Sequence, residues 1–416
     1  MNPLRLSTGP LTRALFIGLL VTHVRSDVLV VDVANGPGTD FTSISAAVVA
    51  AGEGDVLLVR AGTYGGGQGV LIDGKSLVLQ AEAGADVLAM QLNVQNLGPT
   101  QSVIARGIDF QAFQLGAAAA VGNCQGTVWL EDAELRGTVP FVPFPGGGVR
   151  VSGSDSVVLS RCVVQPFQHQ FLDPGLAVLS STVTLLGSTV HGVKGFDQVL
   201  TGPNSGGTGV LVSQGKLIAG DSTIIGGAGG DYLGHPPCQN GGPGGTGLEL
   251  RAGSRVELFG TAVIGGPGGA SFGACAQGPT GPATSVDATS SLAKEVMGLG
   301  VMSQTGPVRA GNPFTVDVTA EPGAFAWSAY GTAPTVGQVS ANFLGALHVP
   351  LAPLLLEPLG FVPASGSLQL GFATTGFLPP GAEALVFVSQ LVTFSPSDGR
   401  VRVGGGTALT VLDPSF

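Results

Sequence analysis

The densest cluster of charged residues in the chain combines three carboxylates and one arginine: Glu131, Asp132, Glu134 and Arg136. Carboxylates beside a guanidinium group can transfer protons or hold a charged substrate, which is the chemistry of many enzyme sites. Arg161 lies about one structural repeat further along the chain, as does Asp155. We therefore expect the candidate catalytic residues to be Glu131, Asp132, Glu134 and Arg161. Alternating charge on a solvent-facing strand would explain the same residues without catalysis.

A second group of polar and aromatic residues lies in two Gly-rich segments, 226–244 and 265–282. An aromatic ring beside amide and carboxylate groups can hold a sugar ring, through contact with its C–H groups and hydrogen bonds to its hydroxyls. The candidate ligand-binding residues are Asp231, Tyr232, His235, Asn240 and Phe272. The alternative is ordinary packing of aromatic residues at loop tips. No histidine or cysteine pair has the spacing of a metal site, so no metal is expected.

The four cysteines, Cys124, Cys162, Cys238 and Cys275, form an even set, which allows disulfides in an exported chain. Cys238 and Cys275 lie in the two Gly-rich segments and could form a bond that joins them. Cys162 lies in an apolar run and is expected to be a buried thiol. Cys124 precedes a strand and has no evident partner.

An internal repeat organises the chain up to about residue 285. Segments that open at Gly148, Gly175, Gly209 and Gly247 share one template, a glycine followed by a strand, a polar turn, a second strand and a short apolar run. A unit that cannot bury its own apolar face must stack on the next unit. The repeat therefore predicts a parallel β-helix, in which the two Gly-rich segments are long loops of neighbouring coils.

The start of this region adds an amphipathic helix. Ile44, Ala47, Val48 and Ala51 would share one face of a short helix over 43–51, and a continuous apolar strand follows at 56–59. Five short motifs carry a resemblance to a known group: Asp40-Phe41-Thr42-Ser43-Ile44, Ala46-Ala47, Gly54-Asp55 before the strand, Gly62-Thr63-Tyr64 and Lys75-Ser76-Leu77. The block resembles the N-terminal cap and first coil of right-handed parallel β-helix proteins of the pectin lyase-like group. That group includes pectate lyases, pectin methylesterases and polygalacturonases.

The resemblance implies an extracellular carbohydrate as ligand but no single chemistry, because these families share architecture and differ in their sites. Asp109-Phe110-Gln111 is similar to a methylesterase strand, yet the motifs that carry that family's aspartates, arginine and tryptophan are absent. The polygalacturonase motifs are absent as well. A lyase would add calcium as cofactor, and otherwise none is expected.

The N-terminus reads as a secretory signal peptide over 1–26, with basic residues, a short apolar run at 14–21 and small residues before Asp27. Its removal takes away three arginines and no acid, so the net charge of −10 becomes −13. This charge disfavours nucleic acid and anionic membranes as partners. We expect a secreted or cell-surface monomer that is not inserted in the membrane.

From residue 306 the pattern changes to short alternating strands between Pro and Gly turns, which predicts a small antiparallel β-sandwich over 306–416. Three stretches carry a further resemblance: Pro313-Phe314-Thr315-Val316, Gly323-Ala324-Phe325-Ala326-Trp327 and Leu385-Val386-Phe387-Val388-Ser389-Gln390. Through them the segment resembles C-terminal β domains of some secreted bacterial proteins, which implies surface attachment or sorting. The β-helix would span 27–285, and a connector with a short helix at 291–297 would fill 286–305.

Three hypotheses for function follow. The first is a secreted, pectin lyase-like protein that binds an extracellular polysaccharide or another surface component without catalysis. The second is a polysaccharide lyase or glycoside hydrolase acting on acidic glycans through Glu131, Asp132 and their neighbours. The third is a structural or adhesin-like envelope protein.

Overall fold

The computed structural model describes residues 26–65, 69–112, 116–137, 147–166, 173–197, 204–232, 239–271, 275–337, 340, 342–350, 355–374 and 378–416. The predicted signal peptide, apart from Ser26, lies outside these residues. The described part is almost entirely β structure, with one helix at Ile44–Ala50. No helix in it is both long and apolar enough to cross a membrane.

Three parallel sheets build the described chain from Val28 to Glu295, and the backbone passes from sheet 2 to sheet 1 to sheet 3 in each coil. Sheet 1 contains the strands Val28–Val31, Val56–Val59, Leu77–Ala81, Ser102–Arg106, Thr127–Glu131, Ser156–Ser160, Thr182–Leu186, Lys216–Gly220, Arg255–Phe259 and Ser291–Glu295. Sheet 2 contains Val70–Asp73, Leu92–Gln95, Ala119–Gly122, Val149–Ser152, Leu176–Leu179, Val210–Ser213, Leu248–Arg251 and Thr284–Val286. Sheet 3 contains Gly62–Tyr64, Val87–Met90, Asp109–Gln111, Glu134–Arg136, Val163–Gln165, Thr189–His191, Thr223–Ile225 and Ala262–Ile264. This is a parallel β-helix, as the repeat predicts.

The repeat seen in the sequence is the repeat of the coils. Val210 pairs with Leu248 in parallel register, and Leu176 pairs with Val210 in the same sheet. The segments that open at Gly175, Gly209 and Gly247 therefore stack directly on one another. Their inward-facing apolar side chains form one continuous core that runs the length of the β-helix.

The corner between sheets 1 and 3 is made by a single residue in the left-handed backbone region on coil after coil. Asp132 has φ 51° and Arg161 has φ 53°, and Gly107, Gly187 and Gly260 occupy the same corner on other coils with positive φ. Glycine and aspartate tolerate this conformation better than most residues, whereas arginine does so at a cost. Because the corners stack, the side chains of Asp132 and Arg161 come together on neighbouring coils.

The N-terminal end of the core is covered by the predicted helix. Ser43 is its N-cap, and the Ser43 hydroxyl accepts a hydrogen bond from the Ala46 N–H at 3.5 Å. Ile44, Ala47 and Val48 are buried against the first coils. A seven-residue helix is too short to be stable alone, so this packing holds it in place.

The β-helix continues further than the sequence pattern indicates. The short helix predicted at 291–297 is wrong, because Ser291–Glu295 is a strand of sheet 1 in parallel register with Arg255–Phe259. Leu292 packs against the end of the core, which continues the inward-facing position of Val256. Tertiary pairing overrides the helix preference of the Leu-Ala-Lys-Glu segment. The predicted connector therefore contains a strand of the last coil.

The Gly-rich segments pack side by side into what we call the Gly-rich bundle, defined as 192–195, 204–209, 226–230, 241–247, 265–269 and 278–282. Backbone hydrogen bonds link one segment to the next: Gly227 N–H to Gly207 O at 2.8 Å, Gly245 N–H to Gly227 O at 2.7 Å and Gly266 N–H to Gly245 O at 2.8 Å. The backbone N–H groups of Gly230 and Gly242 make the same kind of hydrogen bond between segments, at positions three residues away from Gly227 and Gly245 respectively. A three-residue repeat is that of the polyproline II helix, which has no internal hydrogen bonds and must satisfy its backbone with neighbours.

Glycine is required in this bundle by close backbone approach. A Cβ atom on Gly227 would lie 1.8 Å from the carbonyl oxygen of Val193, and one on Gly245 would lie 2.0 Å from that of Gly207. Real side chains never come so near another backbone. The prediction of two long loops on neighbouring coils is therefore extended, because residues 192–195 and 204–209 contribute to the same bundle.

The C-terminal domain is a sandwich of two sheets. Its outer sheet contains Val301–Gln304, Pro313–Thr319 and Ser367–Ala373, and its inner sheet contains Val308–Arg309, Phe325–Gly331, Phe343–Gly345, Leu355–Phe361, Ala384–Phe394 and Val401–Leu412. The outer sheet is antiparallel, as predicted. The inner sheet is mixed, because Val401–Leu412 pairs in parallel with Val308–Arg309 and with Phe343–Gly345. An apolar core lies between the two sheets.

The inner sheet packs on the outward face of sheet 1. Along the β-helix, the apolar residues of this face include Val56, Ile104, Trp129, Ile218 and Phe259, and they share one cluster with inner-sheet residues. Trp129 is fully buried and makes an edge-to-face contact with His348 at 6.1 Å between ring centroids. The sandwich is thus a cover that runs along the β-helix. Burial of this face favours the docked arrangement.

Candidate functional site

An open cleft on sheet 3 gathers the carboxylates that remain accessible near the predicted catalytic cluster. Phe110 and Leu135 point into the core and are fully buried, and Phe110 pairs with Leu135 on the neighbouring strand. Because side chains alternate along a strand, Asp109, Glu134 and Arg136 point outward. The coil stack therefore places these three side chains together on one face.

The three side chains form a connected network. The Asp109 Oδ1 atom accepts a hydrogen bond from the Glu134 backbone N–H at 2.7 Å. The Arg136 guanidinium donates to the Glu134 carboxylate and lies 3.8 Å from Asp109 Oδ2. Asp109, Glu134 and Arg136 side chains are 28%, 29% and 42% exposed, so each is oriented by the protein and still reachable from solvent.

The environment pushes the two carboxyl groups in opposite directions. Burial raises the pKa of Asp109 above its usual value, with a further contribution from the negative charges of Glu134 and Asp86. The hydrogen bond and positive charge of Arg136 lower the pKa of Glu134. Two nearby carboxyl groups with opposite shifts are the arrangement in which one serves as acid and the other stays ionised.

A cavity of about 240 Å³ lies over this network. Its walls are formed by Gly62, Thr63, Asp86, Leu88, Asp109 and Arg136. The cavity offers hydrogen-bond acceptors, a guanidinium donor, a hydroxyl and one apolar side chain. This mixture suits a sugar, which presents hydroxyl groups at its rim and C–H groups on its faces.

Of the predicted catalytic residues, only Glu134 belongs to this network, and it stands beside the cavity lining through its contact with Arg136. Glu131, Asp132 and Arg161 lie around the corner, where the sandwich docks on sheet 1. Glu131 is fully buried. Its carboxylate accepts hydrogen bonds from the Trp129 indole N–H at 2.9 Å, from Arg161 at 2.5 Å and from the Ala408 backbone N–H at 2.8 Å.

Two arginines complete this buried cluster. Arg106 Nε lies 3.1 Å from Glu131 Oε1, and the Arg106 guanidinium also donates to the backbone carbonyls of Ala408 and Gln304. Arg161 donates to Asp132 Oδ1 at 2.8 Å and to the Met302 carbonyl at 2.7 Å. Burial would raise the pKa of Asp132, but hydrogen bonds and charge from Arg161 and Arg106 hold it below its usual value. These contacts join the two domains, and the catalytic role of Glu131, Asp132 and Arg161 stays a prediction.

The predicted ligand-binding residues are distributed around the Gly-rich bundle. Asp231 is held by Lys194 Nζ at 3.0 Å and by the Ala270 backbone N–H at 2.7 Å, so its carboxylate ties two loops together. Tyr232 is 6% exposed, so its ring does not form an open platform. Asn240 is exposed, and its side-chain oxygen accepts from the Ala276 N–H. His235 and Phe272 lie outside the described residues.

The cysteines divide into two kinds. Cys124 and Cys162 are free and fully buried, and burial raises the pKa of Cys162 to about 12. The prediction of a buried thiol at Cys162 is confirmed. Cys275 is disulfide-bonded. Its predicted partner, Cys238, lies outside the described residues, so the pairing stays a prediction.

Sequence reasoning did not place Thr63 and Asp86 in the site and noted Asp109 only for its similarity to a methylesterase strand. The available signal is positional, since Gly62, Asp86, Asp109 and Glu134 stand at or beside the start of successive sheet 3 strands. The residue types at these positions differ from coil to coil, so no shared template marks them in the sequence. In the described part of the chain, no group of three or more His, Cys, Asp or Glu side chains could hold a metal ion.

No family model matches the chain, and no curated protein matches it. Among solved structures, it is similar to the enzymatically active domain of bacteriophage CBA120 tailspike protein 4, at 9% sequence identity and a TM-score of 0.18. The match covers 88% of this chain and 65% of that one, so the chain spans less than two thirds of the length of its neighbour. The architecture itself is that of a parallel β-helix with a C-terminal β-sandwich.

Proposed function

We propose that this is an exported protein that binds an extracellular polysaccharide in the cleft on sheet 3. The observation that carries the proposal is the convergence of Asp86, Asp109 and Glu134 with Arg136 on one accessible face of the β-helix. Oriented carboxylates accept hydrogen bonds from sugar hydroxyls, and Arg136 donates to them. Leu88 supplies apolar contact at the same cavity.

The shape of the fold supports an extended ligand. Sheet 3 continues for several coils beyond the cleft, and neighbouring strands in a sheet lie about 4.8 Å apart. A polymer lying along this face would contact the outward side chains of successive coils. Gln111 and Gln165 stand in the same outward row as Arg136 and extend the polar surface in both directions.

The test is binding of the mature chain, residues 27–416, to a panel of neutral and acidic polysaccharides by affinity electrophoresis. We expect retardation by at least one polysaccharide, and at least tenfold weaker binding for the Asp109→Asn/Arg136→Ala double variant. Arg150→Ala is the matched control, because Arg150 is exposed on sheet 2. Equal retardation of the double variant and the control would exclude the cleft as the binding site.

A second candidate, hydrolysis or elimination within the same polysaccharide, is favoured by the opposite pKa shifts of Asp109 and Glu134. In a hydrolase, Asp109 would protonate the leaving oxygen and Glu134 would act as base or nucleophile. New reducing ends that disappear with Asp109→Asn would support hydrolysis, and an unsaturated product absorbing in the ultraviolet would support a lyase. If the unsaturated product disappeared with Asp132→Ala instead, the reaction would be assigned to the cluster between the two domains. If the polysaccharide is bound and neither product forms, the binding function is supported and the catalytic one is not.

A further inference from the structure

A second cavity, of about 330 Å³, lies where the Gly-rich bundle meets the outer face of sheet 2. Leu211 and Glu249 are neighbours in register and point outward, because Val210 and Leu248 beside them are fully buried in the core. Arg251 stands two residues after Glu249 on the same face. The cavity lining includes Ser205, Thr208, Leu211, Thr246, Glu249 and Arg251.

Glu249 is held in a fixed orientation at this cavity. Its side chain is 19% exposed. The Arg251 Nε and Nη2 atoms donate to Glu249 Oε1 at 2.8 and 2.5 Å, and the Thr208 hydroxyl donates to Oε2 at 3.2 Å. An ionised carboxylate has about four acceptor positions, and Oε1 already accepts two hydrogen bonds, so Oε2 can accept one further hydrogen bond from a ligand. Arg251 is 59% exposed and reaches into solvent at the rim.

The opposite wall is backbone that cannot easily move. Gly206 N–H donates to Pro243 O at 2.8 Å, and Gly245 N–H donates to Gly227 O at 2.7 Å. A Cβ on Gly206 would lie 1.9 Å from Gly227 O, so the wall has no room for side chains that could fill the cavity. A preformed cavity between a rigid wall and an oriented carboxylate loses little entropy on binding.

The chemistry of the lining selects a class of ligand. The hydroxyls of Ser205, Thr208 and Thr246 and the carboxylate of Glu249 suit a molecule with several hydroxyl groups. Leu211 and Pro174 offer apolar contact to C–H groups. Arg251 offsets the charge of Glu249 at the cavity, and the net charge of −13 of the chain without residues 1–26 disfavours a carboxylated sugar. The volume lies in the range of about 300–1,000 Å³ typical of small-molecule sites.

We propose that this cavity is a saccharide-binding site, separate from the sheet 3 cleft, which binds a hydroxyl group of a neutral sugar unit through Oε2 of Glu249. The ligand donates this hydroxyl to Glu249 and rests its C–H face on Leu211. The site takes neutral oligosaccharides and discriminates against uronic acids. The proposal shares with the proposed function only the class of ligand, so either can fail alone.

The experiment uses the Asp109→Asn/Arg136→Ala double variant of the mature chain, in which the sheet 3 cleft is disabled. Binding of cellohexaose, laminarihexaose, maltohexaose, mannohexaose and hexagalacturonate is measured by isothermal titration calorimetry. We expect one or more of the neutral hexasaccharides to bind and hexagalacturonate not to bind. Adding Glu249→Gln should weaken the remaining binding at least tenfold, whereas adding Glu295→Gln should not, because Glu295 is 49% exposed on the last strand of sheet 1.

The outcomes show which of the two proposals has failed. If the cleft variant binds none of the hexasaccharides while the unaltered chain binds one, the second site does not exist and the proposed function stands. Binding that persists unchanged with Glu249→Gln also overturns the second site. If the unaltered chain binds no saccharide in either assay, both proposals fall. Thermal unfolding of the Glu249→Gln variant checks that it folds, since glutamine keeps the volume and one acceptor oxygen.

Discussion

The sharpest prediction concerns Glu131, a fully buried carboxylate in the contact between the β-helix and the sandwich. Replacing it with alanine removes the acceptor for Trp129 and for the backbone N–H of Ala408. It also removes the partner of Arg161 and Arg106, which keep Asp132 as their remaining carboxylate. Breaking a buried ion pair by removing one partner costs about 3–5 kcal/mol. We expect Glu131→Ala to lower the free energy of unfolding by that amount.

The matched control is Glu134→Ala, three residues along the chain. Glu134 is partly exposed on sheet 3 and is paired with an arginine that is itself 42% exposed. Surface ion pairs contribute at most about 1 kcal/mol, so this variant should unfold close to the unaltered chain. The same change of residue is thus compared in a buried and an accessible site.

The assay is urea unfolding followed by intrinsic fluorescence, because Trp129 is buried in the docking surface. Limited proteolysis should in parallel release a sandwich fragment faster from Glu131→Ala than from Glu134→Ala. Equal stability of the two variants would refute the structural role of the cluster. If Glu131→Ala kept its stability but lost a catalytic activity present in the unaltered chain, the catalytic prediction for Glu131 would be restored.

Three further predictions follow from buried groups and close contacts. Burial lowers the pKa of His348 to about 4, against about 6.5 in the unfolded chain, so its contribution is complete above pH 6.5 and is lost as the pH falls toward 4. The unaltered chain should lose about 2–3 kcal/mol more than His348→Gln between pH 7 and pH 4, measured by urea unfolding at both values; equal losses would contradict this. Gly245→Ala places a methyl group 2.0 Å from a carbonyl oxygen and should lower the free energy of unfolding by more than about 1 kcal/mol, whereas Gly371→Ala meets nothing within 4 Å and should have little effect. An equal decrease in the urea midpoint of unfolding for both variants would show that the bundle does not depend on close backbone approach. Cys124 and Cys162 should not react with a thiol reagent in the native protein and should give two thiols per chain after unfolding without reductant; four thiols would refute the disulfide.

The coil stack could be predicted from sequence because its determinants are local and repeated. The glycines that open each coil, the inward apolar positions and the short cap with Ile44 on its buried face are all visible in a single chain. Parallel pairing of Val210 with Leu248 follows from the matched templates alone. The last coil escapes this logic, because Ser291–Glu295 has few apolar residues to mark its inward face.

The docking of the sandwich could not be predicted, because its polar contacts come from residues far apart in sequence. Gln80, Arg106, Glu131 and Ser160 stand in one row on sheet 1 and look like a solvated face. Their partners are Thr410, Ala408, Thr407 and Gly406 on the strand Val401–Leu412. Charge patterns in one segment cannot reveal whether a distant segment covers them. The sequence alone therefore groups Glu131 with Glu134, although Glu131 is fully buried and Glu134 is partly exposed.

The same difficulty applies to the candidate site on sheet 3. Asp86, Asp109 and Glu134 come from successive coils of unequal length, so only the register of the sheet brings them together. Glu134 could be found because it is part of a charged run. Asp86 has no such local signal, since its role depends on the strands that lie next to it.

The Gly-rich bundle separates the part of each loop that must be conserved in shape from the part that need not be. Its backbone hydrogen bonds extend to Tyr232 and Gly241, so residues inserted between these two positions would add chain without changing the contacts described above. A laboratory library could use the same property, with randomised tips displayed on a base that glycine alone can build.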